Sequence, residues 1–248
     1  MYLVDGQPLF KDIKTVAPDG LLKERYSSLI LGPTLQDGKR QSEWQQFFLN
    51  QGRELPSLPA LVAIFMQIKE ALHSEDKTLK SAAEELTNSI REDYHHGSLP
   101  TSTWVNWGNK TITHRVLTPQ AYELPFELPP RFNTDEIKGR YELKELIKIA
   151  GYRDALISLM GQKDVVYVYQ TLRDVINKEP LLMIYNSEIG ELLDSIWFAD
   201  NYIPGEVKID SIWWSHKVPT EARSILSDSR EAIEQITRQS LEERVLLP

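Results

Sequence analysis

A chain of 248 residues with 41% hydrophobic and 26% charged side chains has the composition of a globular protein and enough length to bury a core. The absence of cysteine excludes disulfides, thiolate metal sites, iron–sulfur ligation and cysteine catalysis. The acidic net charge of −8 comes without a basic block in either half, so no nucleic-acid partner is expected.

No stretch approaches about 18 consecutive apolar residues, so neither a spanning helix nor a membrane partner is expected. Met1 to Lys14 has no basic n-region and no continuous apolar run, so no secretory signal is read and the expected location is cytoplasmic.

In chain order, Tyr2-Leu3-Val4, Asp5-Gly6 and Pro8-Leu9-Phe10 predict an extended piece, a turn and a second extended piece. Pro18-Asp19-Gly20 is a turn signal, and Ser28-Leu29-Ile30-Leu31 is a short apolar run. Ser42 is the expected cap of a helix carrying Trp44, Phe47 and Phe48. From Leu58, the spacing of Leu61, Ile64, Phe65, Ile68 and Leu72 predicts a helix. A second helix is expected after Ser74-Glu75-Asp76, with Leu79, Ala82, Ala83, Leu86, Ile90 and Tyr94 on one face. A short link should pack the two antiparallel.

Gly97 ends that helix, and residues 101–117 switch to a period of two, which predicts a β-hairpin. A two-residue Gly108-Asn109 loop would pair Val105 with Ile112 and Thr103 with His114; a three-residue loop including Lys110 would pair Trp104 with His114. The Pro-rich stretch 123–132 is read as a stiff connector. It would divide a mixed subdomain over 1–122 from a mainly helical one over 133–248, unless the chain is one continuous domain.

Beyond it, Asn133-Thr-Asp-Glu136 is the expected capping box of a helix carrying Ile137, Tyr141, Leu143 and Leu146. A buried helix is expected from about Asp164, and an amphipathic one over Ser187–Ala199. A strand is expected near 207–214 and a helix over 219–245. The fold class expected is therefore α+β, predominantly helical, with a small antiparallel β element.

Three groups of residues carry chemistry. Asp93, His95 and His96 close one helix and His114 lies in the following hairpin, so a fold-back would gather a set suited to a divalent metal. Adjacent residues point about 100° apart on a helix, so His95 and His96 converge only if the helix has unwound. No other cofactor is expected. Gly32 to Lys39 resembles a phosphate loop in outline but has five residues between its glycines, and Arg40 stands where a Ser or Thr would hold magnesium. Trp104, Trp107, Trp213 and Trp214 offer more indole surface than one core face needs, which suits a protein partner or self-association. The acidic set Glu188, Glu191, Asp194 and Asp200 is read as a solvated helix face. The leading functional expectation is a protein-interaction or assembly module without catalytic activity. The metal site is the alternative, and nucleotide binding at 32–39 a weaker one.

Overall fold

The computed structural model describes residues 3–4, 7–32, 35–36, 41–96, 98–129, 137–186, 193–199, 221–222 and 225–227, with side chains within 9–32, 43–91, 101–129 and 141–182. In chain order, short strands β1 (Leu3–Val4) and β2 (Gln7–Pro8) pair as a small hairpin. Strands β3 (Phe10–Val16), β4 (Leu22–Leu31) and β5 (Leu35–Gln36) follow. Then come helices α1 (Gln41–Leu49), α2 (Leu58–Leu72) and α3 (Lys77–His96), and strands β6 (Ser98–Asn106), β7 (Thr111–His114), β8 (Tyr122–Pro125) and β9 (Ile137–Glu142). A short helix α4 (Leu143–Leu146), a 3-10 turn at Ala150–Tyr152, α5 (Arg153–Met160) and α6 (Val165–Ile176) lead to β10 (Leu181–Asn186), β11 (Leu193–Ala199), β12 (Glu221–Ala222) and β13 (Ile225–Ser227). The architecture is mixed α+β.

Helix α2 organises the core. Ser57 caps its N-terminus by accepting from Ala60 N–H at 3.1 Å, and Leu58 to Phe65 are all buried. A helix apolar on every side needs neighbours on every side. Those neighbours are α3, α5, α6, β3 and β6. Arg91 of α3 donates to the carbonyls of Val175 and Asp174, covering the C-terminal end of α6 where unpaired carbonyls gather.

Every strand pairing among the described residues is antiparallel. The largest sheet runs β8-β7-β6-β11-β10-β9, and β13-β4-β3 forms a second. The β6–β7 register pairs Val105 with Ile112 and Thr103 with His114, the pairing expected with Gly108-Asn109 at the centre of the loop, and the turn itself spans Trp107 to Lys110. The free edge of β3 is covered. Gln67 of α2 holds both the N–H and the carbonyl of Lys11, Gly161 accepts from Val16 N–H, and Gln162 donates to the Lys14 carbonyl.

Several expectations are corrected. Ile137–Glu142 is strand β9 and only Leu143–Leu146 is helical, because β9 pairs along β10. Leu193–Ala199 is strand β11 rather than a helix end, since β10 and β6 pair with it on both sides. Asp194 is thus a strand residue, and Glu188, Glu191 and Asp200 lie outside the described residues. Within 219–245 the described residues form strands β12 and β13. The segment 207–214 lies outside them. In the stretch 123–132, read as a stiff connector, β8 pairs with β7, and Leu124, Phe126 and Leu128 are buried in the main core. The helix expected from Asp164 is α6, capped by the Asp164 side chain on Tyr167 N–H.

Candidate functional site

Strand β4 alternates, and its inward side chains Glu24 and Tyr26 arrive at the N-terminus of α2. Glu24 is 3% exposed. Its Oε1 accepts from the hydroxyls of Ser57 and Tyr122, each at 2.7 Å, and its Oε2 accepts from Tyr26 at 2.7 Å. A buried carboxylate is tolerated when hydroxyls replace its lost water. Burial, reinforced by the neighbouring Glu24, pushes the Tyr26 and Tyr122 hydroxyls above their ordinary pKa, so both remain donors.

Beside this hub lies a second buried carboxylate, Glu54. Arg115 Nη2 donates to Glu54 Oε1 at 2.7 Å and Nε to Oε2 at 3.3 Å, while the guanidinium lies 5.6 Å from the Tyr26 ring centroid. Burial raises the Glu54 carboxyl above its usual range, and Arg115 only partly offsets this. Arg115 and Leu117 both hold positive φ, at 54° and 65°, a left-handed conformation unfavourable to side-chain-bearing residues. Backbone bonds fix the turn between them: Val116 N–H donates to Ser102 O, and Val116 O accepts from Gln45 Nε2. The network joins β4, β8, the α2 N-terminus and the turn after β7. With so little exposure and its lone pairs so occupied, Glu24 ties the two sheets together.

His114 is fully buried. Leu58 N–H donates to Thr103 Oγ1 at 2.9 Å, so the Thr103 hydroxyl hydrogen is free for His114 Nδ1, also 2.9 Å away. The Ser158 carbonyl can only accept, so Nε2, 2.9 Å from it, carries the ring proton. Burial lowers the His114 pKa to about 4. Both ring nitrogens are thus committed inside the core. Asp93, His95 and His96 belong to the last turns of α3, and their side chains lie outside the described residues. Among the described residues no group of three or more His, Asp or Glu is placed to hold a metal ion.

The other expected sites are distributed differently. Trp104 is buried in the central strand β6. Trp107 is half-buried, packs on the main core and lies 6.2 Å from the Phe126 ring. Trp213 and Trp214 are outside the described residues. In the 32–39 loop Gly32 is buried, and Leu35 and Gln36 pair with Ala222 and Glu221. Lys39 and Arg40 are outside the described residues.

Among the described residues, an open surface feature lies elsewhere. The 3-10 turn, the start of α5 and the start of α6 enclose a cleft of about 520 Å³. Leu156 and Val165 are its buried apolar lining; Ile149 and Val166 are exposed at its walls by 41% and 47%; Arg153, Lys163 and Asp164 add charge. The Lys163 ammonium leans across to the β3–β4 turn, where a Cβ on Gly20 would meet Nζ at 2.7 Å. Gly20 has φ of +85° and is followed by Leu21 and Leu22, exposed by 60% and 50%. Four of the five large hydrophobic side chains most exposed among the described residues therefore belong to segments meeting at Lys163. Nothing in the sequence pattern marks this surface, because its segments lie more than a hundred residues apart.

Comparison with protein-family models, with curated proteins and with solved structures finds no match. Among the described residues no helix is long and apolar enough to cross a membrane.

Proposed function

We propose that this chain is a cytoplasmic protein-interaction module without catalytic chemistry, and that it binds its partner through the surface around Lys163. The observation that carries this reading is the pair of exposed aliphatic side chains, Ile149 and Val166, on the walls of an open cleft from which Lys163 reaches the turn that carries exposed Leu21 and Leu22. Exposed apolar side chains scattered singly are ordinary, whereas a concentration around a cleft marks a contact surface. The titratable groups inside the core support the same reading, since Glu24, Glu54 and His114 are each engaged by internal partners. The tryptophans expected to carry recognition are a weaker basis, because Trp104 and Trp107 pack against this chain's own core.

Site-specific photocrosslinking in the producing cell tests the proposal. A crosslinker at Ile149 or Val166 should give one discrete adduct that is lost with Leu22→Glu, while the same group at Glu85, on α3, gives none. Equal labelling at all three positions, or no adduct at the cleft, would overturn it.

A further inference from the structure

The proposed surface has a charge character that narrows its partner, and this narrowing rests on the interaction reading above. Arg153 and Lys163 both line the cleft, and neither makes an ion pair among the described residues. The acidic lining residue, Asp164, already accepts from Tyr167 N–H as the α6 cap. Two cations and one carboxylate, a local excess of one positive charge, thus border an apolar lining in a chain whose net charge is −8. The global charge is screened beyond about 8–10 Å at physiological salt, so a bound segment senses mainly this local positive excess.

The shape selects a chain segment over a small molecule. Small-ligand pockets enclose most of their ligand, typically about 70–90% of its surface. Here the cleft is open, and exposed apolar surface lies at Ile149 and Val166 and again across Lys163 at Leu21 and Leu22. The neighbouring edge of β3 is occupied by Gln67, Gly161 and Gln162, so strand addition there is blocked and docking falls to side chains. A second copy fits less well, since a two-fold contact at this cleft would bring its unpaired cations toward their own images.

We infer that the cleft takes a short acidic–apolar segment of a partner protein, with a carboxylate held between Arg153 and Lys163 and aliphatic side chains against Leu156 and Val165. Charge complementarity of this kind confers specificity as well as affinity.

The test is an NMR titration of isotope-labelled full chain with two probes: acetyl-Leu-Glu-Leu-Asp-Leu-amide and its neutral counterpart acetyl-Leu-Gln-Leu-Asn-Leu-amide. The acidic peptide should saturably shift the amides of 20–22 and 149–166, at least threefold more tightly than the neutral one. Raising sodium chloride should shrink the difference, and Arg153→Glu with Lys163→Glu should abolish it. Equal binding of both peptides at these amides would overturn the acidic preference while leaving the interaction surface intact. No shift there with either peptide would overturn the inference, and crosslinking would still test the functional reading separately. Concentration-dependent shifts without peptide would assign the surface to a second copy and also overturn it.

Discussion

Thr103 and His114 stand opposite each other on β6 and β7, and the Thr103 hydroxyl donates to His114 Nδ1 at 2.9 Å. Burial of the ring that makes this contact renders the fold sensitive to acid. The folded pKa of His114 is about 4 against an ordinary 6.5, so its neutral form contributes stability that is complete above about pH 6.5 and is lost as pH falls through 4. The difference corresponds to about 3 kcal/mol. Urea unfolding of the native chain and of His114→Leu, followed from pH 7.5 to 4, should show the native chain losing that much more than the variant. Parallel pH curves would contradict the assignment of a buried neutral ring.

Glu54, paired with Arg115, responds to pH in the opposite sense. Without Arg115, Glu54 is a buried carboxylate with a raised pKa, so its charge is most damaging at high pH and is relieved as the carboxyl protonates. Arg115→Met should cost about 3 kcal/mol at pH 8, and the penalty should shrink toward pH 5. The additional change Glu54→Gln should recover part of the loss at pH 8, as read by denaturant midpoints.

The Glu24 hub should behave as one unit. Glu24→Gln turns one acceptor oxygen into a donor facing the hydroxyls, with an expected loss of about 2–3 kcal/mol. Tyr26→Phe combined with it should add less than the sum of the single changes, because both remove the same bond. A double-mutant cycle measures this coupling, and strict additivity would show the bond to be absent.

Gly161 ends α5 with φ of +66°, and its carbonyl accepts from Val16 N–H. A Cβ there would lie 2.7 Å from Pro59 Cβ and 2.8 Å from Thr15 Cβ. Gly161→Ala combines left-handed strain with overpacking where β3, α2 and α5 meet, and should destabilise by about 3 kcal/mol. Gly52→Ala shares the positive φ, at 68°, without any atom within 4 Å, and should cost only about 1 kcal/mol. Thermal unfolding of the two variants separates strain from crowding.

The indoles should also divide. Trp107 Nε1 is buried without an acceptor among the described residues, so Trp107→Phe removes an unsatisfied donor and should change stability by less than about 1 kcal/mol. Trp104→Ala, in contrast, hollows a buried site on the central strand and should lose about 3–5 kcal/mol. Calorimetry of the two proteins distinguishes the roles.

Local patterns were legible where one rule dominated. The 3.6-residue spacing after Leu58 specified α2, the start of α6 was placed near Asp164, and the period of two over 101–117 specified a β6–β7 hairpin while leaving two registers open. Strand β4 was largely illegible because Glu24 and Tyr26 occupy its inward face, so no apolar alternation appears. Strand β11 was misread because Leu193, Ile196 and Trp197 satisfy helical spacing, and only pairing with β6 and β10 selects the extended form.

The candidate sites divide in the same way. The sequence alone determined that cysteine chemistry is excluded, that the protein is acidic, and that helices and a β-hairpin coexist. Those properties follow from composition and from contacts a few residues apart. Only the tertiary structure decided that His114 is neutral and enclosed, that Glu24 gathers three hydroxyls, and that Gly20 and Lys163 meet between exposed leucines and an open cleft. Each of these depends on burial and on partners distant in the chain, which short-range periodicity does not encode.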